Sequence, residues 1–134
     1  MAGLEHLYLN NTQLNDVGLE HLKGLTKLER LYMASTKVTD AGLKHIKGLT
    51  NLAILVLEDT IISDPGMKHL KALTSLRILA LRGTKITDAG LEHLRGLTSL
   101  RTLDVRNTNV SHVGVEKLRQ ALPKCEIVAP ASRR

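Results

Sequence analysis

Phenylalanine and tryptophan are absent from this 134-residue chain, and Tyr8 and Tyr32 are its only tyrosines. Any core must therefore be aliphatic, and outside these two residues there is no aromatic platform on which nucleic-acid bases could stack. Cysteine is almost absent as well. Cys125 stands alone, which excludes an intrachain disulfide and leaves the redox compartment undetermined. No apolar run approaches the roughly 20 residues that cross a bilayer, so no membrane span is expected. The opening stretch, MAGLEHLYL, has no signal-peptide layout, which favours a cytoplasmic setting without fixing the compartment. Neither a GxxxxGK phosphate loop nor a Ser-His-Asp or Cys-His grouping stands out. The expectation is a protein that is not an enzyme and needs no cofactor. Charge is in modest excess, 19 Lys and Arg against 13 Asp and Glu. That permits an acidic partner without demanding one, because surface lysine also serves solubility.

What the chain has in abundance is self-similarity. Leu4, Leu28, Leu52, Leu76 and Leu100 open five copies of a 24-residue unit, residues 4–27, 28–51, 52–75, 76–99 and 100–124. A fixed period of this size marks a solenoid, so residues 1–134 are read as one domain. The shared pattern is LxxLxLxxTx(I/V)(T/S)DxGLxHLxxLTx. Leu31 and Met33 alternate with polar residues, which is strand periodicity. Equivalent strands from adjacent copies would pair as a parallel sheet. The second half of each unit carries helix signals. Asn15, Thr39, Ser63, Thr87 and Ser111 stand where an N-cap belongs, and Asp16, Asp40, Asp64 and Asp88 place negative charge in the first turn. Apolar residues then recur at spacing three, as at Leu43, Ile46 and Leu49. Lys23, Lys47, Lys71, Arg95 and Arg119 suit the negative end of a helix, and Gly24, Gly48 and Gly96 read as left-handed helix stops. The pattern predicts a strand, a turn and a helix of about two turns in each copy.

Two columns are the same in all five copies. Gly18, Gly42, Gly66, Gly90 and Gly114 fall inside the helix, where glycine would let helix and sheet approach closely. Thr12, Thr36, Thr60, Thr84 and Thr108 fall at the bend after the strand and are read as an internal hydrogen-bond ladder.

The stretches LERLYMAST and LRILALRGT resemble the leucine-rich repeat LxxLxLxxN, with threonine in the place of asparagine. The stretch ITDAGLEHL is similar to the cysteine-containing, ribonuclease-inhibitor-like subclass of bacterial type. The resemblance implies an α/β fold, a right-handed horseshoe solenoid with a parallel β-sheet on the concave face and short helices on the convex face. It also implies a role in binding other proteins, usually on the concave side.

The two ends are expected to differ from the middle. Only Met1, Ala2 and Gly3 precede the first leucine, so the first copy's inner side chains should lie partly open, and the chain is expected either to be a fragment of a longer array or to self-associate through this uncapped repeat. At the other end Ala121 is an extra residue, residues 125–128 read as a partial sixth strand with Cys125 and Val128 inward, and the tail from Ala129 should fray.

Function is sought where the copies differ. Strand positions pointing away from the core form three columns: His6, Arg30, Ile54, Ile78, Thr102; then Tyr8, Tyr32, Val56, Ala80, Asp104; then Asn10, Ala34, Glu58, Arg82, Arg106. Tyr8, Tyr32, Ile54, Val56 and Ile78 would make one apolar strip for a protein partner, with Arg30, Glu58, Arg82, Asp104 and Arg106 setting polarity at its rim. Arg77 and Arg101 join Arg82 and Arg106 as a candidate anion site, with Asp104 and Glu58 as the compensating alternative. His21, His45, His69 and His93 form a column, but packed helix axes lie about 8–10 Å apart and zinc needs ligands at about 2.0–2.1 Å. They are read as spacers rather than metal ligands, and His6 and His112 as isolated. The single basic residue per copy is explained by the helix dipole, so nucleic acid is not expected. The rival to a protein-binding module is a structural array, engineered or excised, without a dedicated partner.

Overall fold

The computed structural model describes residues 3–131. Six three-residue strands, β1 (His6–Tyr8), β2 (Arg30–Tyr32), β3 (Ile54–Val56), β4 (Ile78–Ala80), β5 (Thr102–Asp104) and β6 (Glu126–Val128), form one parallel sheet in sequence order. Every strand pairs with the residue 24 positions on, so Leu7, Leu31, Leu55, Leu79, Leu103 and Ile127 make a single inward row. Short helices return the chain behind the sheet: α1 (Asp16–Glu20), a 3-10 turn at Gly42–His45, α2 (Asp64–Met67), α3 (Asp88–Leu91) and α4 (His112–Ala121). The architecture is the right-handed parallel solenoid expected, with the sheet on the concave side and the helices on the convex side.

The convex segments are tighter than two-turn helices, except for α4. The second copy has only a 3-10 turn, and α2 and α3 pass into 3-10 turns at Lys68–Leu70 and Glu92–Leu94. The reason lies in the apolar spacing. Leu43, Ile46, Leu49 and Leu52 are linked by successive i→i−3 backbone bonds of 3.1, 2.9 and 3.1 Å. Spacing of three lines up side chains on one face of a helix with 3.0 residues per turn, not 3.6. The glycine stops are corrected for a related reason. Among the described residues Gly83 alone of the glycines has positive φ, so Gly24, Gly48 and Gly96 are not left-handed caps. The 3-10 turns end without one, and Ala72 and Gln120 serve in that same column. The left-handed column is instead Asn11, Ser35, Asp59, Gly83 and Asn107, with φ between 54° and 75°. Asparagine, aspartate and glycine tolerate that conformation best.

The core is a stack of aliphatic layers. Leu28, Leu31, Met33, Val38, Leu43, Ile46 and Leu49 are fully buried, as are their equivalents in the third copy. Each such side chain contributes about 1.5–3 kcal/mol of transfer free energy. The first copy has neighbours on one side only, and Leu4, Leu7, Leu9, Leu14 and Leu22 stay half-buried, as expected. At the far end the strand register holds without a shift: Glu126 pairs with Thr102 at the same 24-residue offset as every other strand pair, so Ala121 is not an extra residue and that expectation is corrected. Ile127 therefore points inward beside Cys125, while Val128 joins the outward column; the expectation for Val128 is corrected. Ala129 and Pro130 do not fray but pack half-buried, Ala129 against the core. The remainder of the tail, Ser132 to Arg134, and the N-terminal Met1 and Ala2 lie outside the described residues.

The repeated polar residues act together, in a way the column-by-column reading missed. Asp40 accepts from the backbone N–H of Ser63 (2.8 Å) and from its hydroxyl (2.5 Å), one copy further on. Asp16 grips Thr39, Asp64 grips Thr87 and Asp88 grips Ser111 in the same way. Short, charge-assisted bonds of this kind are the strong ones. The glycine column makes room for them. A Cβ on Gly42, Gly66, Gly90 or Gly114 would run into the carboxylate of Asp16, Asp40, Asp64 or Asp88 respectively. The glycines thus fit a carboxylate between copies rather than a helix against the sheet. The threonine column is also corrected. Each hydroxyl donates to the carbonyl three residues earlier in its own copy, from Thr12→Leu9 at 2.7 Å to Thr108→Val105 at 2.6 Å. It closes a turn and does not run between copies.

Candidate protein-interaction face

The outward strand columns form as the alternation predicts. Pairing places His6, Arg30, Ile54, Ile78, Thr102 and Glu126 in one row and Tyr8, Tyr32, Val56, Ala80, Asp104 and Val128 in the next. The rings of Tyr8 and Tyr32 stack with centroids 4.6 Å apart and planes 8° from parallel. Tyr8 is 63% exposed and Ile78 38%, whereas Tyr32, Ile54 and Val56 are half-buried. The five apolar residues are thus contiguous. The row descends in size from tyrosine through Val56 to Ala80, which is only 9% exposed and leaves a dip in the face.

The polar rim is less uniform than the sequence implied. Arg106 holds Asp104 bidentately, Nε to Oδ1 at 3.0 Å and Nη2 to Oδ2 at 2.7 Å. The guanidinium of Arg106 keeps the Asp104 carboxyl below its ordinary value, with Arg82 adding to the effect. Arg101 donates to the carbonyls of Thr98 and Leu100 at 3.0 and 3.1 Å. Two of the four arginines proposed to receive an anion are therefore already engaged, Arg106 by the Asp104 compensation weighed against that site. Arg30, Glu58 and Arg82 lie on the same face. In the third outward column Ala34 donates its N–H to Asn10 Oδ1 at 2.7 Å.

Sequence reasoning missed a second row at the leading edge of the sheet. Backbone bonds link Glu5, Glu29, Ala53, Arg77 and Arg101 in order: Glu29 N–H to Glu5 carbonyl at 2.7 Å, then three steps at 2.8 Å. The four charged members are exposed. The reversal of sign along one repeat position was the legible signal. His6 is not isolated, because donor atoms of Glu5, His6 and Glu29 lie within 4.8 Å of one another. All three are exposed side chains on neighbouring strands. The other histidines do not gather among the described residues. His21 is exposed and His45, His69 and His93 half-buried, one per copy. Burial holds His69 below its ordinary value, with Lys68 and Lys47 acting in the same direction and Asp40 opposing. Cys125 is a buried thiol pushed up by burial, at the wall of a hollow of about 230 Å³ shared with Leu100, Arg101, Leu122 and Lys124. No helix is long and apolar enough to cross a membrane among the described residues.

Two family models match the chain. One for leucine-rich repeats in two copies covers residues 3–45, and one for a leucine-rich repeat covers residues 72–94 and 96–118. This is a leucine-rich-repeat chain. No curated protein matches it. Among solved structures, an internalin (inlF) from Listeria monocytogenes superposes with a TM-score of 0.83 at 25% identity, over 100% of this chain. An internalin C2 (inlC2) from the same organism does so with a TM-score of 0.80 at 25% identity, over 97% of this chain. The chain spans only 36% and 52% of those two chains' lengths. Leucine-rich-repeat folds of this kind are generally protein-interaction modules without catalysis.

Proposed function

We infer that the chain is a non-enzymatic module that binds a protein partner on its concave sheet face. The observation that carries this reading is the contrast within each strand. Inward positions are aliphatic in every copy and buried in the second to fifth, while outward positions change from copy to copy and leave Tyr8 and Ile78 exposed. Tyr8, Tyr32, Ile54, Val56 and Ile78 supply apolar contact, and Arg30, Glu58, Arg82, Asp104 and Arg106 set polarity around it. An apolar centre with tyrosines and a charged rim is the usual composition of a non-obligate interface. The resemblance to the cysteine-containing subclass is part of the same proposal, and no ligase or pathway is carried over with it.

A purely structural array is the rival. Tyr8→Ala with Ile78→Ala separates the two. The double variant is expected to change unfolding stability by no more than about 1 kcal/mol, because both side chains are largely outside the core. It is expected to lose a polypeptide that wild-type protein retains from a lysate, identified by mass spectrometry. Unchanged retention, or unfolding of the variant, removes the strip from the binding site. The half-buried leucines of the first copy favour a second contact, self-association through that open end. Replacing Leu7 with Lys is expected to abolish it.

A further inference from the structure

The convex face repeats a pair of charges that two adjacent copies break. In the fourth and fifth copies a glutamate pairs with the arginine three residues on, Glu92 with Arg95 at 3.5 Å and Glu116 with Arg119. The first copy has the same order, Glu20 then Lys23. In the second and third copies lysine stands where the others have glutamate, so Lys44 precedes Lys47 and Lys68 precedes Lys71. The negative end of each convex segment accounts for Lys47 and Lys71 but not for Lys44 and Lys68, which stand a turn earlier. All four lysines are exposed, and among the described residues none is in an ion pair.

The fold puts the four together. Lys44 lies in the 3-10 turn Gly42–His45, and Lys68 opens the 3-10 turn Lys68–Leu70. Bonds from Leu49 N–H to the Ile46 carbonyl and from Leu73 N–H to the Leu70 carbonyl carry the same winding on past Lys47 and Lys71. In such a turn residues three apart stand one above the other, about 6 Å apart along the axis. Adjacent convex segments pack about 8–10 Å apart. His69 sits among the lysines. After burial, the groups that hold it below its ordinary value are Lys68 of its own copy and Lys47 and Lys44 of the copy before, with Asp40 opposing. The carboxylates of these two copies' first turns, Asp40 and Asp64, are already turned to Ser63 and Thr87. Like charges at this spacing oppose folding, and glutamate at positions 44 and 68 would relieve them.

We propose that Lys44, Lys47, Lys68 and Lys71 form a second docking site, on the convex face, for an acidic segment of another polypeptide. It does not rest on the concave reading. Charge complementarity names the occupant, because four adjacent cations have no counter-charge on the protein. An extended chain advances about 3.3 Å per residue, so a run of four or five acidic residues spans the patch. Lysine is a compact point charge on a flexible stem and suits carboxylates that are themselves mobile. Nucleic acid fits less well, since both tyrosines lie on the opposite, strand face and no ring is here for stacking. A bilayer fits less well too. The exposed apolar residues of these two convex segments are Ala41, Pro65 and Ala72, too small to anchor in lipid.

A fluorescein-labelled peptide of eight glutamates, followed by fluorescence anisotropy up to about 1 mM protein, tests this. Wild type is expected to bind it in about 0.05 M salt and to lose at least about tenfold in affinity by about 0.5 M. Lys44→Glu with Lys68→Glu installs the residue that the other three copies carry there. It is expected to weaken binding at least about tenfold while the thermal midpoint holds or rises. Lys37→Glu with Lys85→Glu makes the same change in net charge, in the turns after β2 and β4, and is expected to stay within about twofold of wild type. Should the first variant fail to fold, Lys44→Gln with Lys68→Gln replaces it, with at least about threefold weakening expected. A wild type that does not bind the peptide overturns the proposal. So does an equal loss in both charge-reversal variants, which would leave net charge alone as the cause, and so does undiminished binding by the convex variant. Vesicles about one-third phosphatidylserine and an oligothymidylate of about 20 nucleotides are the competing probes. Tighter binding to either one, lost in the convex variant, overturns the acidic polypeptide as occupant.

Discussion

The two faces of this solenoid follow opposite rules. On the helix side each junction between copies repeats one device: a carboxylate, a serine or threonine one copy on, and a glycine that leaves room for the contact. On the sheet side the outward residues differ at almost every step, from Tyr8 to Asp104. The first face stacks the copies and is indifferent to what lies outside. The second contributes little to stacking, because its polar and apolar members are exposed in turn. The fifth copy differs, carrying His112 in the aspartate column.

Breaking the core gives the largest effect expected. Leu55→Ala removes a fully buried side chain in the middle layer and should destabilise by about 2–5 kcal/mol in denaturant unfolding. An effect below about 1 kcal/mol would mean that the layers collapse freely. The helix-side device comes next. Asp40→Ala strips two bonds from Ser63, and each bond to a charged group is worth about 1.5–3 kcal/mol. A loss of about 2–3 kcal/mol is expected, with Gly66→Ala comparable because its new methyl displaces the same carboxylate. The sharper test is their combination. Once Asp40 is gone, Gly66→Ala should cost clearly less, the close contact left being Leu43 Cδ1 at 3.0 Å, so fully additive losses in the double variant would refute the shared role.

On the sheet side the expected changes in stability are smaller. Tyr8→Ala alone gives up a stacked pair worth about 0.5–1.5 kcal/mol before its exposure is counted, and should leave the transition cooperative. Smallest of all is the pH effect of His69. Burial and Lys68 lower its folded value below 6.5, so its contribution is fully present above pH 6.5 and is lost as pH falls through the lowered value. His69→Gln should flatten the part of the stability curve between about pH 7 and 5, and an unchanged curve would assign that slope to another group.

Legibility followed the physics of each signal. The strands, their parallel order and the apolar strip were all readable, because alternation and a fixed period translate directly into side-chain direction and neighbour identity. The short helices were misread because spacing of three was taken as an imperfect 3.6, when Leu43, Ile46 and Leu49 were reporting 3-10 turns. Gly24 and Gly48 were misread because a glycine after a helix is ambiguous without φ. Val128 was placed inward because Ala121 was counted as an extra residue, whereas β6 pairs with β5 at the same 24-residue offset as every other strand pair.

The aspartate, hydroxyl and glycine columns were each visible and each explained separately, since nothing in a single copy links residues that meet only across a junction. What the sequence determined by itself was whatever depends on order along the chain: the period, the aliphatic core, the strand faces and the charge order from Glu5 to Arg101. What only the tertiary structure decided was which of those residues touch. A solenoid's stabilising contacts run between copies, 23 or 24 residues apart, and it is the stacking that turns Asp40, Ser63 and Gly66 into one contact.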